Sequence, residues 1–324
     1  MDQHDDQHDD QHDDQHDDQH DDQHDDQHDD RSPEPGAERH GERRGGRRTV
    51  VITGASDGIG AAAARALAEG GHDVVVVGRS ERKTAAVAGP LGVLHFSADF
   101  ARLDDVRRLA HDLQEAVPRI DVLVNNAGGI FDRRELTPDG HERTWQVNHL
   151  APFLLTHLLL DGLLAEGAAV LTTSSIASHV GRLSPETLVD DRRWSPQRAY
   201  ADTKLANILF TRGLDRRYGA QGLAAAAFHP GGVATNFASG STTALGLLYR
   251  TRLGRRLMIT PEQGAETLVW LAGSSAGSDW RSGGYYEKKK PARAPSRAAD
   301  DALGDALWRR SAELVGITPG RPAG

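Results

Sequence analysis

Apolar residues in this chain fall in short runs that end in small or polar residues: "TVVITGAS", "HDVVVVGRS", "GVLHFSADF", "IDVLVNNAG", "AAVLTTSS" and "LAAAAFHPGG". Unbroken β-branched or apolar runs of this length suit strands buried on both faces. Between them the apolar spacing turns helical, over 60–69, 103–116, 139–165 and 198–218, and two further helices are predicted over 262–272 and 299–315. Strand and helix alternate at a pitch of roughly 25–45 residues, which argues for repeated βαβ units in a doubly wound parallel sheet with helices on both faces. Ligands then bind outside the carboxyl ends of the strands. Residues 237–259, "FASGSTTALGLLYRTRLGRRLMI", break the rhythm and are expected to form a helical flap over that edge.

Composition changes the picture mainly at the N-terminus. Residues 2–29 are seven copies of DQHD. A four-residue period without an apolar position buries nothing, so a disordered tail is expected over 1–30. Its seven histidines suit divalent ions. They offer no fixed site, so the expectation is weak, nonspecific metal binding by the tail and no assigned metal ligand. Residues 31–48, rich in Pro, Gly and Arg, read as a linker, 49–317 as the folded domain and 318–324 as a C-terminal tail.

Charge and hydropathy exclude several classes. The chain has 324 residues, 38% of them hydrophobic, enough for a sizeable core. The net charge of −9 misleads, because 15 of the 47 acidic residues lie in the tail. The remainder is mildly basic without a concentrated patch, so no nucleic-acid partner is expected. The absence of cysteine removes disulfides, thiolate catalysis and Cys-ligated metals. The longest apolar stretch, Phe153 to Leu164, is interrupted by His157 and Asp161 and falls short of the ~18–20 residues of a membrane span. The first thirty residues lack Lys, Arg and an apolar segment, so no signal peptide and a cytoplasmic location are expected.

The first strand runs into Gly54, Gly58 and Gly60 and then an alanine-rich helix. Such a turn lets the backbone approach a pyrophosphate, and the helix N-terminus supplies N–H groups and partial positive charge. The loop Gly54–Gly60, with Ser56, Asp57 and Ile59 between its glycines, is therefore expected to cradle a dinucleotide in a Rossmann-type sheet. Its spacing, T-G-x-x-x-G-x-G, resembles that of the short-chain dehydrogenase/reductase family. The second strand ends at Gly78-Arg79, where an acidic residue would bind the ribose hydroxyls of NAD. Arginine instead suits the 2′-phosphate, so NADP(H) is favoured over NAD(H). The resemblance implies that Asp99 and Phe100 contact adenine, and that "NNAG", with Asn126, Ala127 and Gly128, lines the cofactor.

Tyr200 and Lys204, in "RAYADTKLAN", share one helix face four residues apart. A phenol of ordinary pKa ~10 is a poor base at neutrality, and lowering it to ~7 takes about 4 kcal/mol. A cation ~4 Å away at intermediate dielectric supplies about that much. The same Tyr-Lys spacing recurs in "GGYYEKKKPAR", as Tyr285 with Lys289 and Tyr286 with Lys290. There a double glycine precedes it and Pro291 follows, so no helix aligns the pairs and a structural role is expected. The resemblance implies a serine partner from the fifth strand end, Ser174 or Ser175, with the family pattern favouring Ser175. It also implies that Asn148 supports a proton relay, that Pro230 and Gly231 abut the nicotinamide with Val233 nearby, and that Thr235 reaches its carboxamide. His149, His157 and His229 fall at no metal-ligand spacing and read as structural.

Ser175 and Tyr200 lie 25 positions apart, whereas many family members have about a dozen residues between them. The extra stretch "RLSPETLVDDRRWSP" resembles an insertion in the retinol-dehydrogenase-like branch, as do "VNHLAPFLLT", "HPGGVAT" and "TPEQGAETLVWLA". The expected activity is an NADP(H)-dependent interconversion of an alcohol and its carbonyl, with an apolar substrate. Rival readings are a non-catalytic nucleotide sensor or scaffold on the same fold, and a metal-sequestering protein acting through the tail. The family often pairs subunits through its long helices, which leaves a homo-oligomer open.

Overall fold

The computed structural model describes residues 46–184, 194–231 and 259–318. The repeat tail, most of the linker, all of the expected flap at 237–259 except Ile259, Val233, Thr235, most of the insertion and the last residues lie outside them. In chain order the elements are β1 (Thr49–Thr53), α1 (Gly58–Glu69), β2 (Asp73–Gly78), α2 (Glu81–Leu91), β3 (Leu94–Ser97), α3 (Leu103–Ala116) and β4 (Val122–Asn125). A helical run follows: α4 (Arg143–Trp145), a π turn (Gln146–Leu150), α5 (Ala151–Leu158) and α6 (Leu160–Ala165). Then come β5 (Ala169–Thr173), a 3-10 turn (Ile176–Val180), α7 (Pro196–Tyr218), β6 (Ala224–Phe228), α8 (Pro261–Gly273), β7 (Gly284–Glu287), β8 (Lys290–Pro291) and α9 (Asp301–Val315).

The strands form one sheet in the order β3-β2-β1-β4-β5-β6-β7-β8, parallel throughout except for the β7–β8 hairpin. Alternate residues of β1, β2, β4 and β5 feed two separate cores. Val51, Val75 and Leu123 pack with α3, α5 and Trp308 of α9. Val50, Ile52, Val76 and Val124 pack with the alanines of α1 and with Leu268 and Leu271 of α8. This double burial is why the strand sequences are continuous apolar runs. The chain reverses its winding between β1 and β4, and the crevice beyond their carboxyl ends is where ligands bind in such sheets.

Three elements depart from the sequence reading. Residues 81–91 form α2, with Glu81 in the first turn and Gly92 closing the helix at φ +64°. The charged start and Pro90 of this segment hide its short buried face of Thr84, Val87 and Ala88. "YYEKKK" forms the β7–β8 hairpin, with Tyr285 and Tyr286 buried and the lysines outside. The helix expected from 139 begins at Arg143 and opens into a π turn across Asn148. No helix among the described residues is long and apolar enough to cross a membrane.

Candidate active site

The end of β1 is built for close backbone approach. Gly54 has φ +66°, and a Cβ there would lie 2.7 Å from the Cα of Ala127. A Cβ on Gly60 would lie 2.5 Å from the Gly54 carbonyl oxygen, so only glycine lets α1 start against the strand. Thr53 organises the neighbouring strand end: its hydroxyl donates to the Val124 carbonyl and accepts from the N–H groups of Asn126 and Ala127 at 3.0 and 3.1 Å. The Asn126 amide donates to the Thr53 carbonyl at 3.0 Å and accepts from the Thr173 hydroxyl at 3.2 Å, joining β1, β4 and β5 at one edge. Asp57 is exposed and caps α1 through the Gly58 N–H at 2.7 Å. We expect Gly60→Val to lower Tm and abolish dinucleotide binding, since overpacking here costs about 1–3 kcal/mol. Thermal unfolding and a fluorescence titration with NADPH check it.

At the end of β2, Arg79 is exposed. A Cβ on Gly78 would lie 2.7 Å from the Ser56 Cβ, which places Arg79 next to the phosphate loop. Glu81, the acidic residue nearest that strand end in sequence, turns to His95 on β3 at 2.8 Å, and this hydrogen bond holds its carboxyl below the usual range. Asp99 closes a tight turn onto the Ala101 N–H at 3.0 Å. Phe100 puts its ring into the core, and its carbonyl accepts from the Gln146 amide at 3.3 Å.

The β5 end and α7 carry the densest chemistry. Ser195 caps α7 on the Arg198 N–H and Pro196 occupies its first turn, two strong start signals. Tyr200 and Lys204 follow on one face, and Nζ lies 5.5 Å from the centre of the tyrosine ring. Lys204 is 1% exposed, and burial pushes its pKa down to about 7. Its Nζ donates to the Thr173 carbonyl at 3.0 Å. The two serines differ sharply. Ser174 is buried, with its hydroxyl donating to the Lys204 carbonyl at 2.7 Å, whereas Ser175 is half-buried and accepts the Ala177 N–H at 3.2 Å. Asp202, buried on α7, accepts the Arg182 N–H and so holds the segment that follows Ser175.

Asn148 is fully buried, and its amide grips the Gly129 backbone in both directions, donating at 2.9 Å and accepting at 2.8 Å. The same amide nitrogen donates to the Thr203 hydroxyl at 3.2 Å, which in turn donates to the Tyr200 carbonyl at 2.8 Å. These contacts occupy both ends of the amide. The side chain clamps the loop after β4 to α7, and the π turn that presents it is a device common at functional sites. Thr53, Thr173, Thr203 and Asn207 were missed by sequence reasoning. Their signal was faint: threonines beside a glycine, a serine or a lysine, and an asparagine one helical turn past Lys204.

At the end of β6, Gly231 has φ +84° and faces Ile259, while its N–H donates to Nδ1 of the buried His229 at 3.2 Å. His229 pairs with Glu287 of β7 at 3.2 Å. Tyr285 of β7 donates its phenol hydrogen to the Ser175 carbonyl at 3.4 Å, and burial pushes its pKa up to about 12. Among the described residues no group of three or more acidic or histidine side chains is placed to hold a metal.

The family model for short chain dehydrogenases matches residues 48–245. The chain belongs to the short-chain dehydrogenase/reductase family. It is 41% identical over 279 residues to a Streptomyces sp. (strain C5) protein whose name ascribes to it daunorubicin C-13 ketoreductase activity, covering 84% of this chain and 93% of that one. It is 35% identical over 278 residues to human retinol dehydrogenase 12, covering 83% and 87%. A crystal structure of a Mycobacterium paratuberculosis protein superposes with TM-score 0.68 at 34% identity, covering 83% of this chain and 94% of that one. A Burkholderia cenocepacia short chain dehydrogenase in complex with NADP superposes with TM-score 0.56 at 28% identity, covering 70% and 91%. This short-chain dehydrogenase/reductase is thus of the retinol-dehydrogenase-like branch, an oxidoreductase of CH–OH and carbonyl groups whose fold binds a nicotinamide cofactor.

The residues present fit that cofactor. Gly54 and Gly58 take φ +66° and +57° and bring the start of α1 tight against the end of β1, the kind of backbone turn at a helix N-terminus that accepts a diphosphate, and Lys204 lies buried beside Gly128.

Proposed function

We propose that this enzyme interconverts an apolar carbonyl compound and its alcohol with NADP(H), using Tyr200 as general acid and base. The observation that carries the reading is the Tyr200–Lys204 pair on one face of α7, where the Lys204 carbonyl holds Ser174, the neighbour of the half-open Ser175. NADP(H), when bound, supplies or accepts the hydride. The Ser175 hydroxyl donates to the substrate oxygen and holds it against the phenol. Tyr200 gives that oxygen its proton in reduction and removes it in oxidation. A charged Lys204, with Nζ 5.5 Å from the centre of the ring, favours the phenolate over the phenol. Asn148 supports the pair by fixing Gly129 and Thr203, and with them the backbone of Tyr200.

Gly54, Ser56, Asp57, Gly58, Ile59 and Gly60 would hold the diphosphate, with Asp57 acting through its cap. Arg79 would hold the 2′-phosphate, and Asp99 and the Phe100 backbone would lie at adenine. Asn126, Ala127, Gly128, Tyr200 and Lys204 would flank the nicotinamide riboside, and Pro230 and Gly231 the ring. The exposed Ile176 and Val180, just past Ser175, support an apolar substrate, as do the carbonyl and retinoid names of the relatives.

A panel of apolar ketones and aldehydes run with NADPH and NADH side by side tests the reading. Reduction with NADPH preferred is expected; failure of every carbonyl with both cofactors counts against it. Arg79→Asp should lower kcat/KM for NADPH by about 10–100-fold, the worth of one charge-assisted phosphate contact, while NADH use stays within a few-fold. An unchanged cofactor ratio would remove Arg79 from the 2′-phosphate site.

A further inference from the structure

A buried chain of hydrogen bonds links the C-terminal helix α9 to the Lys204 ammonium, and its direction follows from elementary chemistry. The Thr173 carbonyl can only accept, and it takes Nζ of Lys204 at 3.0 Å and Nδ2 of Asn207 at 3.1 Å. The Asn207 amide must then turn its Oδ1 the other way, toward Nδ1 of His149 at 3.4 Å. An amide oxygen only accepts, so Nδ1 carries the hydrogen. Nε2 is left bare and receives the hydroxyl hydrogen of Ser311 on α9, at 2.9 Å. The four side chains are buried: Lys204, Asn207, His149 and Ser311 are 1%, 3%, 1% and 0% exposed.

We propose that His149 and Asn207 are positioning residues for the reaction: they fix the Thr173 carbonyl at the end of β5, and through it the Lys204 ammonium beside Tyr200. The inference rests on the role given to Lys204 above. Its physical content is that one carbonyl serves two donors. Asn207 is the second donor to that carbonyl, so Lys204 meets a fixed acceptor, and His149 stops the Asn207 amide from rotating. Burial holds the His149 ring neutral, with a pKa of about 4. It therefore keeps one donor and one acceptor, as the chain requires. The aromatic residues around it, Trp145 and Phe210 edge-on and Phe153 tilted, would equally suit a ring with no nitrogen, so packing and positioning make opposite predictions.

Two variants separate them. His149→Phe keeps an aromatic ring, somewhat larger, and removes the donor to Asn207. His149→Asn loses the volume and keeps an N–H near the place of Nδ1. We expect His149→Phe to lose about tenfold or more in kcat with KM for the carbonyl within about threefold, since small misplacements of reacting groups cost up to ~10²-fold. His149→Asn should retain kcat within about threefold of the native enzyme despite a lower Tm from the cavity. The reverse order, or equal kcat in the two variants, overturns the proposal. Independently of turnover, nitrogen NMR of the full-length apo protein should show His149 as the neutral Nδ1–H tautomer over about pH 6 to 8. The other tautomer, or a charged ring, overturns it as well. Absence of turnover in the native protein would instead strike at the reading of Lys204, and the tautomer would still decide whether the chain is wired as described.

Discussion

Tyr200→Phe is expected to lower kcat by about 10³-fold or more, at the upper end of what one positioned acid–base group contributes. NADPH affinity should change by less than about threefold. The substitution removes one oxygen and one proton. The ring, its place on α7 and its contact with Nζ all remain, as does the backbone bond from Thr203 to the Tyr200 carbonyl. Single-turnover kinetics with NADPH, together with a fluorescence titration of the cofactor, read the two effects separately. Loss of both to the same extent would point to a binding role, and undiminished turnover would defeat the assignment.

Lys204→Met should behave in the opposite sense for stability. Turnover is expected to fall by about 10³-fold, because the phenolate loses its neighbouring cation. Tm should rise by several degrees, since a buried ammonium with few partners is costly and methionine fills a similar volume. The pH dependence has a definite sign. The folded-state pKa of about 7 lies below the ~10.4 of a free lysine, so the unfolded chain binds the extra proton between these values. Native stability therefore rises with pH across that window, and the penalty for burying the charge is complete below it. The gap in Tm between Lys204→Met and the native protein should be widest near neutrality and below, and should shrink as pH climbs. Differential scanning calorimetry at several pH values measures it. The Thr173 carbonyl keeps its second donor, Asn207, in this variant, so no buried acceptor is stranded.

The fold was legible because its parallel strands are buried on both faces. Val50–Ile52 and Val74–Val77 are nearly inaccessible, which forces the apolar runs that mark them. The glycine turn was legible for a related reason: Gly54 and Gly60 stand where a Cβ would strike backbone. Short-range spacing also placed Tyr200 and Lys204 on one face, because four residues span one helical turn.

What stayed hidden depends on contacts between residues far apart in sequence. Nothing in "NNAGG" or "QVNHL" says that Asn148 grips Gly129, or that a π turn brings it there. The flanking glycines and Pro291 marked Tyr285 and Tyr286 as structural, but not that "YYE" is a strand whose first phenol reaches the carbonyl of Ser175. A difference of one residue decides between Ser174 and Ser175. The local sequence is nearly symmetric, and only packing against α7 commits Ser174 to the Lys204 carbonyl. Lys204 itself read as an ordinary cation, and its burial, which sets both its pKa and its cost, arises from the assembled site.

The central claim is that the buried Lys204 makes the Tyr200 phenol acidic enough to exchange a proton near neutrality. The most direct measurement is an ultraviolet difference titration of tyrosinate in the NADP-bound native protein, with Tyr200→Phe and Lys204→Met alongside. One tyrosine should ionise well below the ordinary ~10. That step should be missing in Tyr200→Phe and moved upward in Lys204→Met. Ionisation of every tyrosine in the ordinary phenol range, with no step lost in Tyr200→Phe, would contradict the account.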